Sequence, residues 1–298
     1  MSAETEAADD DVMMCCASCG IAEVDDIKLK KCDDCDLVRY CSDNCKEEHR
    51  PQHEAICKKR AAELRDEILF RQPESTHEGD CPICFLPLQI DKTTLYACCS
   101  TTICKGCDHA NEAREREERL QQTCPFCRHP VPTTQEEADR NTMKRATAND
   151  PVAIRDLGLK RYYEGDYESA FEYYTKAIEL GNVDAHYDLS LLYQNGYGVE
   201  KDEKKEAYHL EEAAIAGHPM AREALACHEV ENKRYDRAVK HFIIAANLGC
   251  DDSIEMLKEF YKGGAVSKED FAAALRAHQA AVDATKSPQR EAAAKHKL

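Results

Sequence analysis

Apolar and polar positions change rhythm along the chain, and the change divides it. From about Pro151, setting PVAIRDLG, VDAHYDLS, PMAREALA and DDSIEMLK beneath one another puts Ala153, Ala185, Ala221 and Ser253 in one column and Leu157, Leu189, Leu225 and Leu257 in another. The column spacings are 32, 36 and 32 residues. Each such helix is followed by a second, in which Ala177, Ala213 and Ala245 precede Gly181, Gly217 and Gly249 by four residues, the glycines being natural helix stops. A period in the thirties built from paired helices predicts an α-solenoid over residues 150–285, in which small residues let helices approach and neighbouring repeats bury each other's apolar faces. The repeat tyrosines Tyr162, Tyr163, Tyr173, Tyr174, Tyr187 and Tyr193 are expected to pack between helices.

Upstream the apolar rhythm is broken. KKRAAELRDEILFRQ places Ala61, Leu64, Ile68 and Leu69 at helical spacing and predicts a short helix, so residues 59–80 read as helix plus linker, the linker being PESTHEGD at 73–80. HANEAREREERLQQ, between Cys107 and Cys124, reads as a solvated helix, and residues 131–149 as a polar connecting helix. Residues 1–13 are small, acidic and aperiodic, the composition of a disordered tail, and residues 286–298 read as a charged, frayed tail.

The cysteines alter this picture. All but Cys227 and Cys250 of the 18 lie between Cys15 and Cys127. The opening MSAETEAADDD has no apolar core for export, so an intracellular setting, cytoplasmic or nuclear, is expected. Under cytosolic reductants, clustered Cys-x2-Cys pairs are thiolate metal sites rather than disulfides. The expected fold class is therefore small zinc-stabilised α+β modules followed by an all-α helical-repeat solenoid. A net charge of -17 opposes nucleic-acid binding, and no apolar run is long enough to span a membrane.

The first cluster reads Cys16-x2-Cys19, Cys32-x2-Cys35, Cys41-x3-Cys45 and His53-x3-Cys57, eight donors in four pairs, enough for two tetrahedral zinc ions. Cys15 competes with Cys16, and the x2 spacing to Cys19 favours Cys16; His49 is expected to be a solvent-exposed helix residue. With VRYCSDNCKEEHRPQHEAIC, residues 14–58 resemble a MYND-type zinc finger, although Arg50 stands where that family usually has tryptophan. The resemblance implies interleaved pairs: Cys16, Cys19, Cys41 and Cys45 on one zinc, and Cys32, Cys35, His53 and Cys57 on the other.

The second cluster, residues 81–130, holds eight more cysteines in CPIC, ACCSTTICKGC and CPFCR. CPICFLPLQIDK, ICKGC and CPFCRHPVP resemble the all-cysteine RING-type finger of the ubiquitin-ligase subunit in the eukaryotic deadenylase complex. Thr101 stands where an ordinary RING has histidine, and the third and fourth cysteines are adjacent rather than separated by one residue. The resemblance implies Cys81, Cys84, Cys104 and Cys107 on one zinc and Cys98, Cys99, Cys124 and Cys127 on the other, four zinc ions per chain in all. It also implies that Ile83, Pro125 and Arg128 contact a ubiquitin-conjugating enzyme and its ubiquitin, with no covalent intermediate.

LSLLYQNGYGVEKDEKKEAYHLEEAAIAGH, with its GYGVEKD loop, resembles the Sel1-like class of tetratricopeptide-type repeats, over 150–250 more closely than over 251–285. Two readings follow from the whole. One is a RING-type E3 ubiquitin ligase that recruits protein substrates or peptide ligands through its MYND-like finger and repeats; the other is a non-enzymatic, zinc-dependent interaction scaffold. A lysine methyltransferase, suggested only by the company MYND fingers keep, has no cofactor-binding segment here.

Overall fold

The computed structural model describes residues 15–24, 26–89 and 92–295; the acidic segment 1–13 lies outside them. The chain forms two compact units, residues 1–69 and 70–298.

The first unit is built on knuckles and one long helix. Strands β1 (Lys30–Lys31) and β2 (Arg39–Tyr40) pair antiparallel, with Lys30 opposite Tyr40. Helix α1 (Asp43–Leu69) then runs without interruption. The segment expected as a separate short helix leaving the module is its second half. Pro51 lies inside α1, where a missing N–H removes one hydrogen bond but does not end the helix. The core of this unit is Cys16, Leu29, Cys32, Cys35, Tyr40 and Cys57, so most of it consists of cysteines.

The second unit opens with the linker and a hairpin, β3 (Thr93–Tyr96) and β4 (Thr101–Cys104), in the register Thr93 opposite Cys104 and Tyr96 opposite Thr101. The hairpin turn carries Cys98 and Cys99, and β4 delivers Cys104 directly to the start of α2 (Lys105–Glu117). The Cys104 sulfur caps that helix by accepting from the Cys107 N–H. Helix α3 (Gln135–Thr147), capped by Thr134, packs on the first repeat helix.

The repeats are four helix pairs: α4 (Pro151–Glu164) and α5 (Tyr167–Glu179), α6 (Val183–Asn195) and α7 (Glu203–Ile215), α8 (Pro219–Glu231) and α9 (Tyr235–Asn247), and α10 (Asp251–Lys262) and α11 (Lys268–Ala284). Both sequence columns are buried throughout: Ala185, Ala221, Ser253 and Leu257 are fully sealed, and Leu157, the least buried, is only 9% exposed. Ala177, Ala213 and Ala245, on the second helices, are likewise sealed. Asp150, Asp166, Asn182, Asp202 and His218 cap successive helices through their side chains, satisfying the orphan N–H groups of each first turn. Tyr174 and Tyr193 pack into the core as expected, whereas Tyr163 is 82% exposed. The repeat rhythm places Tyr163 next to a buried face, but only Tyr162 of that pair turns inward.

Residues 286–298, expected as a frayed tail, instead carry helix α12 (Pro288–Lys295), which packs against α2. Ser287 caps it, accepting from the Arg290 N–H at 3.2 Å, and Pro288 sits at the first helical position, where its fixed φ is already helical.

Candidate metal centres

Four Cys-x2-Cys pairs close the same backbone loop. The carbonyl of the first cysteine accepts from the residue after the second: Gly20 to Cys16 at 2.9 Å, Asp36 to Cys32 at 3.1 Å, Phe85 to Cys81 at 2.8 Å and Arg128 to Cys124 at 2.9 Å. That following residue is left-handed in every case, with φ of 74, 57, 55 and 64°. The turn converges both sulfurs of each pair on one point. It also obliges Asp36, Phe85 and Arg128 to occupy a conformation that favours glycine.

The remaining candidate donors come from helices, from the β3–β4 hairpin and, for Cys41, from the residue after β2. Cys45, His53 and Cys57 all lie on α1, where His53 and Cys57 share a face one turn apart, so a single helix serves two sites. The sulfurs and the imidazole gather into four groups whose donor atoms lie within 4.8 Å of one another: Cys16, Cys19, Cys41 and Cys45; Cys32, Cys35, His53 and Cys57; Cys81, Cys84, Cys104 and Cys107; and Cys98, Cys99, Cys124 and Cys127. The structure thus brings together the sets expected from the sequence, with the pairs interleaved in both modules. It puts Cys16 rather than Cys15 in the first group, while Cys15 bridges to Ala22 on the exposed side.

Zinc fits these groups. Tetrahedral ligands at ~2.3 Å from zinc stand about 3.8 Å apart. The observed separations are 3.6 Å for Cys19 to Cys41, 3.7 Å for Cys32 to Cys57, 3.8 Å for Cys84 to Cys104 and 3.8 Å for Cys99 to Cys124. His53 presents Nε2, 3.1 Å from the Cys35 sulfur. Backbone N–H groups point at the sulfurs, as a thiolate requires: Cys104 donates to the Cys81 sulfur and Cys107 to that of Cys104. Burial alone would push the Cys16 and Cys81 thiols up, but backbone N–H donors outweigh it: those of Cys19, Cys41 and Ser18 bring Cys16 down to about 6, and those of Cys104, Cys84 and Ile83 bring Cys81 to about 7.

Several supporting residues carried no signal in the cysteine spacing. Asp108 accepts from the Thr94 hydroxyl at 2.7 Å and from the Tyr96 hydroxyl, tying α2 to β3. Glu115, on the helix read as solvated, is 2% exposed and accepts from the Thr123 N–H and hydroxyl, fixing the approach to Cys124. His49, expected on the exposed face, is half-buried with Nδ1 3.1 Å from the Tyr40 hydroxyl, because the buried ring of Tyr40 lies under that face of α1.

Ile83 is 38% exposed, Pro125 half-buried and Arg128 exposed, with one guanidinium nitrogen donating to Asn111 Oδ1 at 3.4 Å.

Comparison with known proteins assigns two parts of the chain. The MYND finger family matches residues 16–57, and the Sel1 repeat family matches residues 151–182, 183–218 and 232–250. Two parts of the chain thus match known modules, a MYND finger near its start and Sel1 repeats in its second half. HcpC of Helicobacter pylori is 41% identical over 56 residues, a match spanning 19% of this chain and 19% of that protein. Among solved structures, a Sel1 repeat protein from Oxalobacter formigenes is 22% identical, covering 58% of this chain and 71% of its own, with a TM-score of 0.45. The Escherichia coli protective antigen c5321 is 23% identical, covering 51% of this chain and 34% of its own, with a TM-score of 0.43. No helix among the described residues is long and apolar enough to cross a membrane.

Proposed function

We propose that the chain is a RING-type ubiquitin ligase of the cytosol or nucleus, holding four zinc ions and recruiting protein substrates through its MYND finger and Sel1 repeats. The observation that carries this reading is the interleaving of two tetrathiolate groups in residues 81–127 together with the exposure of Ile83 and Arg128 on their knuckles. A ligase of this kind needs no nucleophile. It holds a charged conjugating enzyme so that the thioester meets the attacking lysine in a reactive pose, which lowers an orientational barrier. Ile83 and Pro125 would supply the apolar grip on the enzyme, and Arg128, a planar and permanently charged donor, would bridge enzyme and ubiquitin. An aromatic cluster at the edge of the repeats, where half-buried Tyr167 stacks on Tyr197 at 4.5 Å and Tyr163 stands exposed beside the inward-turned Tyr162, suits substrate recognition.

The alternative, a non-enzymatic scaffold, is favoured by one observation: α2, KGCDHANEARERE, has no Phe, Tyr or Trp to complete an enzyme-binding groove.

The test is autoubiquitination with a panel of conjugating enzymes. Arg128→Gly is the informative variant, because φ at this position is 64° and glycine adopts it without strain, so the knuckle keeps its zinc while losing the guanidinium. Activity lost at unchanged zinc content supports the ligase; a wild-type protein inactive with every enzyme supports the scaffold.

A further inference from the structure

Helix α12, packed on α2, also reaches the Cys81–Cys84 knuckle of the second cysteine module through the Arg290 side chain. Arg290 donates from one terminal nitrogen to the Pro87 carbonyl at 2.7 Å and the Thr285 carbonyl at 3.1 Å. The other terminal nitrogen donates to the Leu86 carbonyl at 3.1 Å and faces the Cys84 sulfur at 3.6 Å. The close approach depends on Gly106, between the ligands Cys104 and Cys107. A Cβ there would stand 2.6 Å from Arg290 Cγ and 2.7 Å from its backbone nitrogen.

The charge balance of this contact is unusual. Arg290 is half-buried and its Nε is sealed from solvent without a partner, yet among the described residues it forms no ion pair with a carboxylate. Three of its four acceptors are neutral carbonyls; the fourth is a sulfur. A guanidinium withdrawn from water needs a counter-charge. Four thiolates around a divalent zinc carry a net charge of about -2, and that charge would lie directly beneath the fork.

We infer that Arg290 is the counter-charge and positioning residue of the Cys81, Cys84, Cys104 and Cys107 site, so that α12 completes the second cysteine module. The inference rests on the reading that this tetrad holds zinc. Outer hydrogen bonds to metal ligands typically change metal affinity 10- to 100-fold. Arginine suits the position because its fork spans the two carbonyls and the sulfur together, which a lysine ammonium cannot do.

The experiment uses the full chain. Zinc content is measured first, then release to a colorimetric chelator, for wild type, Arg290→Gln, Arg290→Lys and a chain ending at Lys286. The cobalt-substituted proteins are compared by their thiolate-to-cobalt charge-transfer bands. The expected result is four zinc in the wild type, with one of the four leaving Arg290→Gln and the shortened chain about tenfold faster or more. Arg290→Lys should be intermediate, the cobalt band should shift, and repeat helicity should be unchanged. Four zinc released at wild-type rates from Arg290→Gln, with an unchanged cobalt spectrum, would overturn the inference alone. Two zinc in the wild type would overturn both the inference and the reading beneath it.

Discussion

His77 Nε2 lies 2.7 Å from Asp184 Oδ1, joining the linker ahead of the second cysteine module to the first turn of α6. His218 Nε2 stands 3.5 Å from the same oxygen, and the two imidazoles stack with centroids 4.4 Å apart. His218 Nδ1 accepts from the Ala221 N–H, so its proton is on Nε2 and is donated to the carboxylate. Burial by itself would raise Asp184, but the two histidine donors and the Arg155 charge hold it well below the usual carboxylate range. His77→Ala removes one donor from this carboxylate and is expected to cost about 1–3 kcal/mol in chemical unfolding of this unit. It should also speed proteolytic cleavage within residues 73–80; unchanged stability and cleavage would contradict the assignment.

Two glycines with the same backbone conformation should respond differently to alanine. Gly181 and Gly217 have φ of 87 and 92°, but a Cβ at Gly181 meets open space while one at Gly217 would lie 2.7 Å from the Ser75 carbonyl oxygen. Gly181→Ala should cost about 1–2 kcal/mol from the left-handed conformation alone. Gly217→Ala should cost clearly more and also release the linker, readable as hydrogen exchange at His77, whose N–H donates to the Gly217 carbonyl.

The repeats should weaken in mild acid. His241 is fully buried, and burial, followed by the charges of Arg222 and Arg237, pushes it down to about 3. An unfolded histidine titrates at about 6.5. Between those values the unfolded chain takes up a proton that the folded chain refuses, so this contribution is flat above about pH 6.5 and costs stability progressively as pH falls below it. His241→Gln should therefore lose less Tm than wild type between pH 7.5 and 5.0. Equal losses would show that His241 does not carry the effect.

Zinc removal should divide the molecule. The buried core of the first module is largely cysteine, and that of the second is Cys81, Leu88, Ile103 and Cys104, so neither has an adequate apolar core of its own. The repeats have independent cores around Leu157, Leu189 and Leu192 and around Phe242 and Leu257. After chelation, circular dichroism should retain most of the helical signal, while exchange protection at β1, β2, β3 and β4 disappears. Cooperative loss of all helix would contradict this.

What the sequence made legible was whatever repeats or chelates. Alanine and leucine columns mark the solenoid because each repeat must offer the same small and large residues to its neighbours. The cysteine pairs mark the metal groups because a knuckle admits few spacings. Contacts made once, between segments far apart, leave no period. Arg290 on Leu86 and Glu115 under Thr123 each look like surface charges in a polar run. For α12 a signal was present: Ser287 and Pro288 ahead of REAAAK are a helix start, but composition alone reads as a charged tail.

The most direct test of the proposed function is discharge of ubiquitin from a pre-charged conjugating enzyme to free lysine, which needs no substrate for the repeats. Wild type carrying four zinc should accelerate discharge by at least about tenfold with at least one enzyme of the panel, and Ile83→Ala should abolish the acceleration while retaining its zinc. No acceleration with any enzyme, from protein whose zinc content is four, would contradict the ligase and leave the scaffold.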